Sequence, residues 1–454
     1  MPNLIIRNYN KKDAILNLPG SKSDSARALI MASMADGTST IHNLSPSDDT
    51  KGLVDCLQKL GIEIVKKQNR ESITEIKGNS CVFKNLDGEL NFGIAGTTAR
   101  FITPLLALVN GKYTITAQGQ MLNRPMDGIL NNLELLGLDI EYLEKQNHLP
   151  VKITKDGINE GLNQIKLPGN ISSQFISGFL MAGCSYPNGL EIEITTELLS
   201  KPYLDMTIET CRKFGANIQV FVNEETWSET VAEIPNGAKV QFVVSKSNLK
   251  PIDYRVEIDA SGCSYFWGIG CLSETPVRIE EVFEQSNQGD YGILKTFQKI
   301  GCDIDSTGDY VSVIGGQGIK AVNQDMSSMP DVAQTLMVIL AFADGISTLS
   351  GLKTLRTKET DRISAMQNEL TKISVKTKAG EDWIMIYGIG KNFEQPKNKI
   401  VFKTYDDHRM AMSLAMIGSI INNVEIEDYS VVSKSFPSFW EKLQNMGFEL
   451  EYKT

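Results

Sequence analysis

The chain has 454 residues, of which 41% are hydrophobic and 22% are charged. This length exceeds what one ordinary hydrophobic core serves, so we expect a soluble globular protein of at least two domains. The formal net charge of −10 argues against a nucleic-acid-binding protein, because such proteins usually carry a basic excess.

Targeting and metal-binding signals are absent from the sequence. Residues 1–13 lack the apolar stretch of a signal peptide, and no apolar run reaches the ~20 residues of a membrane span. The seven cysteines show no C-x-x-C pair, and the three histidines complete no metal-ligand spacing. We therefore expect a cytoplasmic protein without membrane attachment and without a metal site.

An amphipathic helix pattern recurs six times along the chain. Each copy is followed by a single residue, glycine in five of the six, that ends the helix, and then by a strand pattern. A glycine just beyond a helix end can adopt the left-handed conformation that caps the helix. Ser374 replaces this glycine in the fifth copy, where we expect a less regular helix end. The period of 73 to 86 residues predicts six small α/β units. The copies cover 52–64, 128–140, 205–218, 292–304, 365–377 and 439–450.

Each unit also contains a second, more apolar helix that begins in small or polar residues. Its apolar residues lie on several faces, which predicts burial inside the domain with the amphipathic helices outside. Most of these helices lead through a turn into a strand. The segments are 19–37, 93–111, 169–189, 259–274, 329–345 and 406–423.

Three consecutive units can close around a pseudo-threefold axis, so we predict an α/β protein of two domains. The longest step between copies contains a polar stretch and a PNG turn, and we place the boundary near 245–252. The N-terminal strand has no helix of its own and is expected to pair with the C-terminal half. The predicted domains are 19–248, and 1–18 together with 249–454, with the active site in the cleft between them.

The starts of the buried helices are suited to binding anions. A helix N-terminus presents unpaired N–H groups and about half a positive charge, and Gly, Ser and Thr let an anion approach closely. Several such ends facing one cleft would give an acidic protein an anion-attracting pocket. Simple N-capping by Ser, Thr or Asp is the alternative for each segment taken alone.

Cationic residues stand beside these small residues at equivalent places in the repeats. A single Lys or Arg is more often a solvated surface charge, but the recurrence favours one site. Arginine forks suit carboxylate and phosphate, and lysine acts as a point charge, so the ligands should carry several negative charges. The cationic positions are Lys22, Arg27, Arg100, Arg124, Lys358, Arg362, His408, Arg409 and Lys434.

Two carboxylates are available for proton transfer, Glu359 in the segment TLRTKETDR and Asp331 in MPDVAQ. Ion pairing and helix capping are alternative roles, and the spacing alone does not decide between them. The sequence has no dinucleotide fingerprint, P-loop or G-x-S-x-G motif. The residues alone therefore indicate a cofactor-free site that handles polyanionic small molecules.

The same segments closely resemble the family of 5-enolpyruvylshikimate-3-phosphate synthase (3-phosphoshikimate 1-carboxyvinyltransferase), an enolpyruvyl transferase. The resemblance spans essentially the whole chain. It implies two domains, each with three βαβαββ repeats around a pseudo-threefold axis (the enolpyruvyl transferase fold, an inside-out α/β barrel), which close upon binding. The motifs occur in family order as LPGSKSDSARALIMASMADG, AGTTAR, LNRPM, SSQF, LLSKPYLDM, EIDASGCSYF, QGD, MPDVAQT, KETDRISAM, TYDDHRMAM and SKSFP.

The resemblance implies transfer of the enolpyruvyl group of phosphoenolpyruvate to the 5-hydroxyl of shikimate 3-phosphate, with release of phosphate, on the route to chorismate and the aromatic amino acids. It implies no metal or organic cofactor, and we expect a monomer. It assigns Glu359 as the proton donor and Asp331 as the base, with Lys22 assisting.

The resemblance also assigns two overlapping sets of substrate contacts. For shikimate 3-phosphate they are Lys22, Ser23, Arg27, Ser172, Ser173, Gln174, Ser200, Tyr203, Asp331 and Lys358. For phosphoenolpyruvate they are Lys22, Gly96, Arg124, Gln174, Arg362, Arg409 and Lys434.

The sequence departs from the family pattern at three positions. Ile94 replaces the usual asparagine before A-G-T, Thr354 stands where asparagine is often found, and Phe101 stands where proline is frequent. We therefore leave Ile94 and Thr354 out of the predicted site. Gly96 leaves room where insensitive members of the family carry a methyl group, so we expect glyphosate to compete with phosphoenolpyruvate.

Three other interpretations fit the sequence less well. The UDP-N-acetylglucosamine enolpyruvyl transferases share the fold but have a reactive loop cysteine and a Lys-Asn pair, where this chain has Lys22 and Ser23. An RNA 3′-phosphate cyclase-like enzyme is disfavoured by the acidic charge and the lack of a nucleotide-linked histidine motif. An inactive anion-binding scaffold is disfavoured because Glu359, Asp331 and Lys22 are all retained.

Overall fold

The computed structural model of the chain is mixed α/β. It describes residues 2–67, 72–84, 86–156, 163–223, 225–226, 238–282, 286–390, 393–396 and 398–453. The α-helices in these ranges are α1 (Lys22–Met34), α2 (Asp48–Lys59), α3 (Gly96–Leu105), α4 (Asp127–Leu135), α5 (Ser173–Gly183), α6 (Lys201–Lys213), α7 (Ala260–Ser273), α8 (Ile293–Lys299), α9 (Ala333–Ala341), α10 (Arg362–Thr371), α11 (His408–Ala415) and α12 (Phe439–Met446).

The strands are short, mostly three to seven residues. They are β1 (Asn3–Tyr9), β2 (Ala14–Leu16), β3 (Thr38–His42), β4 (Glu63–Lys66), β5 (Ile73–Lys77), β6 (Leu86–Asn91), β7 (Gly111–Thr116), β8 (Asp139–Tyr142), β9 (Val151–Lys155), β10 (Gln164–Leu167), β11 (Leu190–Ile194), β12 (Asn217–Val222), β13 (Glu225–Thr226), β14 (Val240–Ser245), β15 (Asp253–Arg255), β16 (Val277–Glu280), β17 (Asp303–Asp305), β18 (Tyr310–Ile314), β19 (Asn323–Asp325), β20 (Ile346–Ser350), β21 (Lys376–Ala379), β22 (Ile384–Tyr387), β23 (Ile400–Phe402), β24 (Val424–Ile426) and β25 (Phe448–Lys453).

The strands form sheets that share one pattern. In the sheet β6-β7-β9-β8, the first two strands are parallel and the two later pairs are antiparallel. With α3 after β6 and α4 after β7, this repeat reads βαβαββ. The other sheets have the orders β15-β3-β5-β4, β10-β11-β14-β12-β13, β2-β16-β18-β17, β19-β20-β22-β21 and β23-β24-β1-β25.

The chain divides into two compact units. The central unit is Gly20–Val256, and the terminal unit joins Met1–Pro19 to Glu257–Thr454. The boundary drawn from the sequence, between 248 and 249, falls before β15. Because β15 pairs in parallel with β3, residues 249–256 belong to the central unit.

Strand exchange near the termini completes the repeats. The N-terminal strand β1 pairs antiparallel with both β24 and β25, and β2 pairs in parallel with β16. Conversely, β15 supplies the parallel strand of the first repeat, although it follows the third repeat in sequence. The chain therefore crosses twice between the units.

The core of each unit is built on its apolar helices. In the terminal unit every residue of α7, α9 and α11 is buried, and α7 and α11 both pack on α9. In the central unit α1, α3 and α5 pack on one another in the same way. Each large apolar side chain buried here stabilises the fold by about 1.5–3 kcal/mol.

Each amphipathic helix is followed by a residue with positive φ. At Gly61, with φ 91°, the N–H groups of residues 61 and 62 donate to the carbonyls of Gln58 and Leu57. At Ser374, with φ 65°, the N–H groups of residues 374 and 375 donate to Thr371 and Leu370 in the same pattern. The expectation of a less regular end at Ser374 is nevertheless confirmed, because α10 ends three residues before Ser374, whereas α2 ends two residues before Gly61. In the last turn Ile373 N–H donates to Leu370, three residues back, where Leu60 N–H donates to Cys56, four residues back. The serine adopts the left-handed conformation, which strains a residue with a side chain.

Candidate active site

Four of the six buried helices begin with a side-chain cap. Ser21, Ser172, Asp259 and Asp407 accept backbone N–H groups of α1, α5, α7 and α11. The capping alternative is therefore observed at these helices. By contrast, α3 follows Ala95 and α9 follows Val332 without a side-chain cap.

Arg362 lies at the centre of a buried network in the terminal unit. It begins α10 and is 1% exposed. Its Nε and Nη2 donate to the two carboxylate oxygens of Asp407 at 2.7 and 3.2 Å. Nη2 also donates to Glu359 at 2.9 Å, and Nη1 donates to Asp331 at 3.3 Å. One guanidinium therefore holds three carboxylates.

Asp331 receives two further cations. It lies in the 3-10 turn Pro330–Val332, directly before α9. Arg409 Nη2 donates to its carboxylate at 2.9 Å, and Lys358 Nζ lies 3.4 Å from it. Arg409 Nη1 also donates to the Asp331 main-chain oxygen at 3.1 Å. Burial alone would raise the pKa of Asp331, but the neighbouring Arg409, Lys358 and Arg362 hold it well below its usual range.

Glu359 bridges two cations. It lies in the bend 358–360, between the 3-10 turn Lys353–Thr357 and α10. Lys434 Nζ donates to Oε1 at 2.6 Å, while Arg362 donates to Oε2. Lys434 is itself buried. Both predicted proton-transfer carboxylates are thus ion-paired in this structure.

These contacts define the Arg362 network. It unites the six site residues that the sequence predicted in this unit, and it adds Asp407. Its members are Asp331, Lys358, Glu359, Arg362, Asp407, Arg409 and Lys434.

A second cationic group surrounds Gly96 at the start of α3 in the central unit. A methyl group built on Gly96 would lie 2.5 Å from Arg124 Nη1 and 2.8 Å from Arg100 Nη1. Within the residues that the structure describes, Arg124 has neither a hydrogen bond nor an ion pair to its side chain, and its Nε is buried. A guanidinium without a protein partner, beside an uncapped helix N-terminus, is suited to an anionic ligand.

Gln174 ties the starts of α3 and α5 together. Its Oε1 accepts from Arg100 Nη1 at 2.9 Å, and its Nε2 donates to Thr97 Oγ1 at 3.2 Å. Ser172 caps α5, and Ser173 is its first residue. We call Gly96, Thr97, Arg100, Arg124 and Gln174 the Gly96 group.

Lys22 is the first residue of α1 and pairs with Asp49 at 2.9 Å. Asp49 is buried in the first turn of α2, and its main-chain oxygen accepts from Thr98 Oγ1 at 3.4 Å. This contact links the starts of α1, α2 and α3. Ser23 follows Lys22 in the first turn of α1.

Arg27 lies deeper in the central unit. It is 2% exposed and donates to Thr207 Oγ1 at 2.8 Å and to the main-chain oxygens of Ser23 and Tyr203 at 2.7 and 3.0 Å. Burial lowers the pKa of Arg27 to about 10. Ser200, in the left-handed conformation, precedes α6 and accepts the Tyr203 N–H at 3.2 Å.

The three departures from the family pattern have different surroundings. The Phe101 ring lies under the Arg27 guanidinium, 5.2 Å from ring centre to Cζ, so this ring supports a predicted site residue. Ile94 is largely exposed just before α3. Thr354 lies in the turn Lys353–Thr357, and its hydroxyl is buried without a hydrogen bond among the described residues.

Sequence reasoning missed three buried carboxylates beside the predicted residues. Asp407 holds Arg362, Asp49 holds Lys22, and Asp290 accepts a hydrogen bond from Ser261. Burial and the charge of Asp331 raise the pKa of Asp290 to about 7, although Arg409 opposes the shift. Asp407 and Asp290 stand in the motifs TYDDHRM and QGD, which was the available signal.

A family model for EPSP synthase (3-phosphoshikimate 1-carboxyvinyltransferase) matches residues 6–443. The chain belongs to the EPSP synthase family. It is 35% identical over 448 residues to the 3-phosphoshikimate 1-carboxyvinyltransferase of Vibrio campbellii, covering 98% of this chain and 100% of the relative. It is also 35% identical over 433 residues to the enzyme of the same name from Sulfurovum sp., covering 95% and 96%.

Two solved structures share the fold. The EPSP synthase of Acinetobacter baumannii superposes with a TM-score of 0.79 at 24% identity, covering 100% of both chains. The enolpyruvyl transferase NikO of Streptomyces tendae superposes with a TM-score of 0.73 at 14% identity, covering 100% of this chain and 99% of that one. The predicted fold class, the family and the enzyme class, a transferase of the shikimate pathway, are confirmed.

No helix among the described residues combines the length and the hydropathy needed to cross a membrane.

Proposed function

We propose that this chain transfers the enolpyruvyl group of phosphoenolpyruvate to the 5-hydroxyl of shikimate 3-phosphate and releases phosphate. The observation that carries the proposal is the Arg362 network, where four cations converge on the carboxylates Asp331 and Glu359. Membership in the family supports the identity of the substrates, and the cations supply the charge that two phosphates and two carboxylates require.

We propose seven contacts for phosphoenolpyruvate. Phosphoenolpyruvate carries a phosphate and a carboxylate, which suit arginine forks. The Arg124 guanidinium, without a protein partner among the described residues, supports this role best. The proposed contacts are Lys22, Gly96, Arg124, Gln174, Arg362, Arg409 and Lys434.

The shikimate 3-phosphate contacts are proposed to use hydroxyl groups as well as cations. Serine hydroxyls at the start of α5 can donate to a phosphate that the helix N-terminus also attracts. Arg27 has five N–H donors and gives three of them to the protein, which leaves two for a ligand. The proposed contacts are Lys22, Ser23, Arg27, Ser172, Ser173, Gln174, Ser200, Tyr203, Asp331 and Lys358.

In the proposed chemistry, Glu359 protonates the methylene carbon of phosphoenolpyruvate. The adjacent carbon becomes electron-poor, and the 5-hydroxyl oxygen attacks it while Asp331 takes the hydroxyl proton, with Lys22 assisting. In the second step Glu359 recovers a proton from the new methyl group. The carbon–oxygen bond to phosphate breaks, and Asp331 returns its proton to the leaving phosphate. The surrounding cations stabilise the charge that develops.

The ion pairs in the Arg362 network must weaken before Asp331 and Glu359 can transfer protons in this way. The low pKa of Asp331 makes it a weak base while Arg409, Lys358 and Arg362 face it. Ligand anions compete for the same cations and so relieve their hold on Asp331. The same competition for Arg362 and Lys434 favours a protonated Glu359, as a proton donor requires.

A phosphate-release assay tests the reaction class. Shikimate 3-phosphate and phosphoenolpyruvate are supplied together and then each is omitted, and UDP-N-acetylglucosamine is offered as the competing acceptor. We expect phosphate release only when both proposed substrates are present. Release with UDP-N-acetylglucosamine, or without shikimate 3-phosphate, would overturn the proposal.

Glyphosate is proposed to inhibit by competing with phosphoenolpyruvate. A Cβ at position 96 would press on the Arg124 and Arg100 guanidinium groups, so the glycine leaves space beside both. We expect the apparent KM for phosphoenolpyruvate to rise with glyphosate, and Gly96→Ala to weaken the inhibition. An unchanged KM at millimolar inhibitor would reject the proposal.

The chain is proposed to act as a cytoplasmic monomer. All seven cysteines are free thiols, which fits a reducing compartment. Sedimentation equilibrium should give a mass near the 50.2 kDa of one chain. Twice that mass would contradict the proposed monomer.

A further inference from the structure

Arg356 is a charged residue of the segment TLRTKETDR to which the proposed function gives no role. It lies in the 3-10 turn Lys353–Thr357, three residues before Glu359. Its side chain is about a quarter exposed and turns back toward the start of α10. Its contacts lie on both sides of the bend that carries Lys358 and Glu359.

The first contact joins Arg356 to the cap of α10. Nη1 donates to the two carboxylate oxygens of Asp361 at 2.9 and 2.7 Å and to Ser364 Oγ at 2.9 Å. Asp361 accepts the Ser364 N–H at 3.1 Å as the N-cap, and Ser364 Oγ donates to it at 2.8 Å. These bonds form a closed triangle of three side chains.

The second contact joins Arg356 to the turn between β21 and β22. Nη2 donates to the main-chain oxygen of Gly380, and Nε donates to that of Glu381 at 3.3 Å. Because this turn belongs to the sheet of the fifth repeat, the guanidinium ties the bend to a strand pair. Arg356 thereby connects three elements of one repeat.

The bend 358–360 lies between Arg356 and Asp361 and contains two predicted site residues, Lys358 and Glu359. Residues 358–360 lie outside helix and strand. From this bend, Glu359 reaches Lys434 at 2.6 Å and Lys358 reaches Asp331 at 3.4 Å. Misplacement of a reacting group by about 1 Å can cost 100-fold in rate, so the direction of these side chains matters.

The strength of the Arg356–Asp361 pair does not by itself explain the arrangement. The two side chains are 25% and 38% exposed, and partly exposed pairs contribute little to stability. Asp361 also caps α10 through Ser364 without help from Arg356. The contacts therefore fit a role in geometry better than a role in stability.

We propose that Arg356 is a positioning residue for the transfer reaction: by bridging Asp361 and the Gly380–Glu381 turn, it fixes the bend that aims Glu359. This inference rests on the proposed function, because Glu359 must take part in the chemistry for its aim to matter.

The test is a double-mutant cycle of Arg356→Gln with Glu359→Gln, with phosphate release as the readout. We expect Arg356→Gln to lower kcat about 10- to 100-fold while the KM for both substrates changes by less than about threefold. In the Glu359→Gln background, Arg356→Gln should change kcat by less than about threefold, because the group it positions is already lost. Arg356→Lys keeps the positive charge but loses the planar guanidinium that bonds in several directions. Its kcat should therefore lie between those of Arg356→Gln and wild type.

Lys353→Gln is the matched control, because Lys353 lies in the same turn, pairs with Glu381 at 3.6 Å and is largely exposed. It loses the same charge but has no contact with Asp361 among the described residues, and it should keep the wild-type kcat. Equal losses in both backgrounds, or a kcat for Arg356→Gln equal to that of Lys353→Gln, would overturn the positioning role. A wild-type protein that releases no phosphate overturns the proposed function instead, and the positioning role with it.

Discussion

The Arg362 network of the terminal unit and Arg124 of the central unit present their cations in different ways. In the terminal unit, Arg362, Arg409, Lys358 and Lys434 all pair with carboxylates of the network. In the central unit, Lys22 pairs with Asp49, and Arg100 donates to the neutral amide of Gln174. Arg124 has no partner among the described residues.

This difference predicts which cations stabilise the fold and which serve mainly to bind a ligand. A buried cation that is paired cannot be removed without leaving a carboxylate uncompensated, which is costly. A cation without a protein partner contributes little to folding, so its presence is better explained by a ligand. At the Arg362 network the ligand must compete with internal carboxylates, whereas at Arg124 no carboxylate of the described residues competes with it.

The largest effect is expected at Glu359. Glu359→Gln keeps the shape and one hydrogen-bond acceptor but cannot donate the proton to carbon. We expect kcat to fall by about 10²–10⁴-fold, measured by phosphate release, while shikimate 3-phosphate still binds in isothermal titration. A kcat within threefold of wild type would show that the carboxylate serves only as an ion-pair partner.

Removal of Arg362 tests the cost of breaking the network. Arg362→Met keeps the length of the side chain but leaves Asp407 buried without its main cation. We expect the free energy of unfolding in urea to fall by about 3–5 kcal/mol. Arg124→Met is the matched control, and its unfolding free energy should stay within about 0.5 kcal/mol of wild type. Equal losses in the two variants would remove the distinction between the units.

Asp290 predicts a pH dependence that is specific to the terminal unit. Its pKa of about 7 in the folded protein lies above the value of about 4 for an unfolded chain. The stability that it contributes is therefore present below pH 4 and is lost as the pH rises toward 7. Asp290→Asn removes this loss, so the free energy of unfolding of the variant, relative to wild type, should rise by about 2.5 kcal/mol from pH 5 to pH 8. If the free energies of unfolding of Asp290→Asn and wild type differ by the same amount at pH 5 and at pH 8, the raised pKa of Asp290 is contradicted.

The smallest effect concerns the helix ends, where both units use a residue with positive φ. Ser374→Gly relieves left-handed strain of about 1–2 kcal/mol but adds backbone freedom to the unfolded chain. We expect a net gain of about 0.5–1 kcal/mol in the free energy of unfolding. Ser374→Ala retains the strain and should gain nothing, so a similar gain in both variants would rule out this explanation.

The repeats could be read from the sequence because each helix end is a local event. A punctuating residue with positive φ and two hydrogen bonds to the preceding turn leaves a signal within a few residues. The cations in KETDR and DDHR could be predicted for the same reason, because each stands within a few residues of a predicted helix start. The strand β15 could not be found, because three residues, DYR, show no periodicity and pair with β3 far away in the chain.

Partners of the site residues could not be predicted from spacing. Asp407 lies 45 residues after Arg362, and the packing of α10 and α11 against each other and against α9 brings them together. The same limit applies to Arg124, since the absence of a protein partner is a property of the fold.

Substitution of Arg124 tests most directly whether a cation without a protein partner among the described residues binds a substrate anion. The measurement is kcat/KM for phosphoenolpyruvate at saturating shikimate 3-phosphate, compared between wild type, Arg124→Lys and Arg124→Met. We predict a fall of about 10- to 100-fold for Arg124→Met, since hydrogen bonds to charged groups contribute about 1.5–3 kcal/mol, and a smaller fall for Arg124→Lys. A value for Arg124→Met within twofold of wild type would contradict the assignment of this guanidinium to a substrate anion.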